Sequence, residues 1–164
     1  MPRPFLPWPH PILKARAEPV AAVDDAVRAI WEEMLEAMYA MPGVGLAAPQ
    51  IGEPLRLAVI DCSETNDQPV RMANPELLEV SDETEAGQEG SPNLPGLWEQ
   101  VTRPVRARLR WLDEAGAVQE RWFEGLWARS AQHQLDHLDG KLFFHRLPEF
   151  RRRRLLEKYR KGRR

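Results

Sequence analysis

A chain of 164 residues can bury one sizeable core, and 43% hydrophobic with 29% charged residues is ordinary globular composition. No apolar run is long enough to span a bilayer, and the proline-studded start, Met1-Pro-Arg-Pro-Phe-Leu-Pro-Trp8, is unlike a signal peptide. A lone cysteine, Cys62, excludes an internal disulfide, so the expectation is a cytoplasmic protein with no membrane partner.

The net charge of −2 hides a division. Residues 151–164 hold nine Lys or Arg and one Glu, about +8, which leaves about −10 on the rest. A basic C-terminal tail on an acidic body suggests a polyanionic partner, the ribosome among them, with nothing that points to sequence-specific nucleic-acid recognition. The competing account is a helix whose solvated basic end suits its macrodipole.

In chain order, the prolines of residues 2–11 predict an extended arm. From Val20 to Ala40, apolar residues recur at three- and four-residue steps (Val23, Val27, Ile30, Trp31, Met34, Leu35, Met38), predicting an amphipathic helix that Pro42-Gly43 ends. In Gly43-Val-Gly-Leu-Ala-Ala-Pro-Gln-Ile-Gly52, the glycines allow close approach of a ligand, and Gln50 is the lone polar side chain between Gly45 and Gly52. No strand precedes this run, which argues against a dinucleotide-binding loop. Gln50 either satisfies backbone groups or hydrogen-bonds a substrate carbonyl.

Leu55 to Ile60 reads as a buried strand, and Cys62 beyond it as an inert half-buried thiol. Val70–Leu78 and Glu79–Glu85 read as two short strands around Asn74-Pro75, and Glu89–Gly96 as a turn-rich loop. Strict alternation from Val105 to Trp111, the turn Asp113–Gly116 and the run Val118–Phe123 predict a hairpin. Strands, one internal helix and a terminal helix together predict an α+β fold in a single domain, 1–164, with the basic helical tail from about 151.

The internal helix carries the sharpest signal. His133 and His137 stand four apart in Trp127–Gly140, on one helix face, where two imidazoles can converge on one metal ion. Helical histidine pairs are also found as surface or hydrogen-bonded core residues, but the flanking Leu135, Leu138 and Leu142-Phe143-Phe144 imply burial, where unpaired imidazoles are costly.

Three blocks in this order resemble the polypeptide deformylase family: Gly43–Gly52, Glu89-Gly-Ser-Pro-Asn-Leu-Pro-Gly96 and Gln132-His-Gln-Leu-Asp-His-Leu-Asp-Gly140. The likeness extends from about Pro9 to the basic tail, through Asn74-Pro75, Arg103-Pro104 and Lys141-Leu-Phe143. It implies that family's fold, with short antiparallel sheets around a central helix carrying the His-x-x-x-His motif and a C-terminal helix. It also implies a divalent metal, iron or zinc, and a nascent peptide beginning with N-formylmethionine as substrate. The first block matches the family pattern throughout, so Gly43, Gly45, Leu46 and Gln50 are candidate substrate-binding residues, with Gln50 also an oxyanion donor. His133 and His137 match two metal ligands.

Three positions depart from the family. Ser91 stands where the family has its cysteine ligand, Pro92 where a backbone N–H supports the oxyanion, and Gln134 where a glutamate acts on the attacking water. A hydroxyl is a poor substitute for thiolate, proline has no N–H, and an amide cannot accept the proton. Asn93, Ser130 and Ala131 are further differences in the same blocks. The expectation is a deformylase-like protein with impaired or absent activity and weak or absent metal, Ser91 being a vestigial ligand and substrate contact. Such a protein could bind methionyl or formylmethionyl chain ends. A slow or altered deformylase with a non-standard metal site is the alternative.

Overall fold

The structure, a computed structural model, describes residues 1–163. The chain first runs as an arm without regular structure into a short helix α1 (Pro11–Lys14). The predicted first long helix is α2 (Asp25–Ala40), which starts five residues later than its periodicity suggested. Asp24 sets that start, because its carboxylate accepts the N–H of Val27 and satisfies a donor of the first turn. Val20, upstream, is instead held on both its N–H and C=O by the side chain of Asn74.

Strands β1 (Gly45–Ala47), β2 (Leu57–Ile60), β3 (Val70–Val80), β6 (Arg106–Leu112) and β7 (Val118–Glu124) form an antiparallel sheet in the order β1-β2-β3-β6-β7. At β1 and β2 the sheet is covered on both faces. Leu57 and Val59 point to α2, against Trp31, Met34 and Met38, while Ala58 and Ile60 point to the opposite core. That second core is closed by α3 (Gly125–Leu138), which lays Ala128, Ala131, Leu135 and Leu138 onto the sheet. Burial on both faces is why β2 reads as a continuous apolar run rather than an alternation.

Two expectations need correction. Residues 70–80 are one strand, not two, because Asn74 takes a left-handed conformation (φ 51°) and the register shift beside it absorbs Pro75 without ending the ladder. The turn-rich loop is shorter than its composition implied. Its first residues belong to β4 (Thr84–Gly90), which pairs with an unanticipated strand β5 (Trp98–Pro104) in a second, two-stranded sheet.

The basic tail is helix α4 (Glu149–Gly162), and it is built into the molecule. Leu155 and Tyr159 join Leu13, Leu94, Val101, Phe143 and Phe144 in a third core. Among the described residues, no helix is long and apolar enough to cross a membrane.

Candidate functional site

Helix α3 supplies the centre of the site. It runs on from β7 and stops at Asp139, followed by Gly140 at φ +77°, where a Cβ would stand 2.5 Å from the carbonyl of Lys14. That close approach requires glycine. With one face on the sheet, the helix turns His133 and Gln134 toward a cleft of about 780 Å³ and holds His137 beneath them.

His133 Nδ1 lies 2.8 Å from Glu89, the buried last-but-one residue of β4. Glu89 also accepts from Arg103 (2.6 and 2.9 Å) and Arg129 (2.6 Å), and Arg103 continues to Asp136 (3.0 Å), which is bound in turn by Arg146. Burial opposes ionisation of Glu89, but the hydrogen bonds from His133 and Arg103 outweigh it and hold the carboxyl at about 2. A carboxylate accepts only, so His133 donates from Nδ1, leaving its Nε2 as an acceptor. His137 Nε2, 3.1 Å away, then donates to it. His137 Nδ1 is left buried without a partner. Burial lowers the His137 pKa well below its usual value, which keeps the ring neutral.

The second half of the site lies in the loop after β4. Ser91 Oγ donates to Asn93 Oδ1 (2.9 Å) and accepts from Asn93 N (3.3 Å) and Gln50 Nε2 (3.4 Å). One donor and two acceptor positions complete the capacity of a hydroxyl. Gln50 donates more closely to Asn93 Oδ1 (2.9 Å) and accepts the N–H of Ala47 (2.9 Å). Asn93 Nδ2 is anchored on the carbonyls of Leu6 (2.5 Å) and Gln50 (3.3 Å).

These donors do not fit the metal site that the three-block resemblance implies. Two imidazole nitrogens converge, but the third position is a neutral hydroxyl already saturated within the protein. His137 as a ligand through Nε2 would carry its proton on Nδ1, where no acceptor is found. Among the described residues, no group of three or more His, Cys, Asp or Glu side chains could hold a metal ion.

Gln134 takes its place because β1 has no side chain at Gly45. A Cβ there would collide with Ser130 Oγ and come within 2.5 Å of Gln134 Nε2. Gln134 is only 5% exposed, and its Oε1 has no partner. The cleft rim is apolar, with Phe5, Met41, Val44, Trp98 and Leu126.

Of the residues singled out from sequence, Gly43, Gly45, Gln50, Ser91, His133 and Gln134 line this cleft. His137 does not line it but touches His133 from below. The Leu46 side chain departs from expectation, because on a strand it alternates away from the cleft and is fully buried against α2. Sequence reasoning missed Glu89, Arg103, Arg129 and Asp136 as parts of the site, and marked Asn93 only as a further difference from the family pattern. A buried Arg103 in a polar stretch was the available signal, and only contacts across the fold make it one.

Comparison with known proteins agrees with the fold. The sequence pattern of the family described as Polypeptide deformylase matches residues 2–153. The chain is 44% identical to a peptide deformylase of Phenylobacterium zucineum (strain HLK1), over 97% of this chain and 95% of that one. It superposes on the crystal structure of the Thermus thermophilus peptide deformylase with a TM-score of 0.88 at 40% identity, covering 96% of this chain and 92% of the other. The Ehrlichia chaffeensis enzyme, solved in complex with actinonin, gives a TM-score of 0.92 at 32% identity, covering 98% and 97%.

Proposed function

Because the chain belongs to the polypeptide deformylase family, we propose that it keeps the family's peptide cleft but has lost most of the hydrolytic chemistry, and binds methionyl or N-formylmethionyl chain ends. The observation that carries this reading is Ser91, whose hydroxyl is fully engaged with Asn93 and Gln50 where the resemblance calls for a thiolate ligand. A missing oxyanion donor, as at Pro92, costs about 10²–10³ in rate, and a missing general base, as at Gln134, about 10²–10⁴. These losses do not simply add, since such groups act as a unit. The apolar rim around Trp98 and Leu126 suits an unbranched methionine side chain.

The pair of imidazole nitrogens 3.1 Å apart supports a second reading, a slow or altered deformylase with weakly held iron or zinc. Metal analysis after dialysis against a mild chelator, run beside a formyl-Met peptide hydrolysis assay, separates the two. We expect substoichiometric metal, little turnover, and saturable peptide binding that quenches Trp98 fluorescence. Stoichiometric metal with turnover around 10 per second, an ordinary enzymatic rate, would reject the proposed loss. We also propose a cytoplasmic setting, with the basic face of α4 meeting a polyanion such as the ribosome.

A further inference from the structure

We propose that Asn93 is the positioning residue that keeps this site from ligating metal, by demanding a hydrogen-bond donor at position 91 and by engaging the amide N–H groups of Gln50. The inference rests on the proposed reading that the site has lost its metal chemistry, and it identifies a residue outside the three reactive positions as the one that fixes that state.

The orientation of Asn93 is over-determined. Its Nδ2 faces two carbonyl oxygens, those of Leu6 and Gln50. Turning the amide over would set Oδ1 against those two acceptors and Nδ2 against the Gln50 Nε2 donor, so the oxygen must face Ser91 and Gln50. Asn93 is fully buried, and no rearrangement into water is open to it. An oxygen fixed in this way, 2.9 Å from Oγ of Ser91, requires a proton on the side chain opposite. A hydroxyl supplies one. A thiolate, the form in which cysteine binds a metal, has none, and would face the amide oxygen lone pair to lone pair.

The same oxygen takes the better-placed N–H of Gln50 at 2.9 Å, and the other N–H points to Ser91 at 3.4 Å. Both amide hydrogens of the candidate oxyanion donor are therefore directed into the loop. Asn93 thus couples Ser91, a departure from the family pattern, to Gln50, a position that matches it. Restoring cysteine alone leaves the opposing oxygen in place.

The test is a cobalt(II) titration of the full chain and of S91C, N93S and S91C/N93S by calorimetry, with the thiolate-to-cobalt absorption band as a second readout in the two cysteine variants. Cys62 supplies an internal blank, since burial and the neighbouring Asp61 push its thiol up to about 12. N93S in the serine background should leave affinity within about twofold, while in the S91C background it should raise affinity about 10- to 100-fold, the range over which partners of a ligating side chain act. S91C alone matching the double variant would overturn the inference. So would an equal effect of N93S in both backgrounds, which is the behaviour of a merely structural residue. S91C/N93A removes the same oxygen and takes over if the double variant does not fold. Tight cobalt binding by the unsubstituted chain would instead reject the proposed function and this inference together. Weak binding by that chain with no gain from N93S in the S91C background rejects the inference alone.

Discussion

At Glu89, burial and ionisation pull in opposite directions, and ionisation wins because Arg103, Arg129 and His133 all bring N–H groups to the carboxylate. A carboxyl held at about 2 in the folded chain, against an ordinary 4.5, stabilises the fold fully above the unfolded value and loses that contribution as pH falls toward 2. Glu89→Gln should therefore cost about 3–5 kcal/mol at neutral pH, because it leaves Arg103 buried beside an uncharged amide. It should also flatten the acid side of the stability curve between pH 4.5 and 2 relative to the parent, as followed by urea unfolding at each pH. An unchanged slope would mean that another group titrates there. The reactive positions call for a different experiment. If chemistry alone has been lost, Ser91→Cys, Pro92→Leu and Gln134→Glu together with Asn93→Ser should yield metal-dependent hydrolysis of formyl-Met peptides. The first three without the fourth should fall short. A fourfold variant that folds and binds metal yet stays inert would show that the cleft itself has diverged.

At the scale of elements, α4 is the instructive case. As a charge pattern it looked detachable, but Leu155 and Tyr159 anchor it in a core shared with α1 and β5, so cutting it off after Phe150 would remove packing along with charge. Charge reversal on its exposed face is the cleaner probe. Arg154→Glu, Lys158→Glu and Arg160→Glu should leave the melting temperature nearly unchanged while weakening ribosome binding and its salt dependence, as loss of phosphate contacts does. Undiminished binding would make the basic face simply solvated. The two strands around Asn74 and the missing β5 show where periodicity fails. A left-handed asparagine lets a strand continue past a proline, and β5 turns the guanidinium of Arg103 inward, so its pattern is not one of apolar residues. The helix with His133 and His137 was legible for the converse reason, since four-residue spacing alone fixes which side chains share a face.

Across the whole molecule, legibility tracked distance along the chain. The His pair, the glycine block and the departures at Ser91, Pro92 and Gln134 were local signals. The role of Asn93 was not, because its partners Leu6 and Gln50 lie 87 and 43 positions away. The arm that contributes Leu6 is itself held at both sides: Leu6 N–H on the Gln50 carbonyl, Trp8 N–H on the Asn93 carbonyl, and the Trp8 carbonyl receiving Tyr159 and Arg163 from the end of α4. Time of synthesis gives this clasp a further meaning. Tyr159 is translated 151 positions after Trp8, roughly 8 to 30 s later at typical elongation rates of about 5–20 residues per second. For that interval the arm beside Gln50 and Asn93 lacks the contacts from Tyr159 and Arg163. The wall of the cleft beside Gln50 is therefore clasped only after Tyr159 has been made.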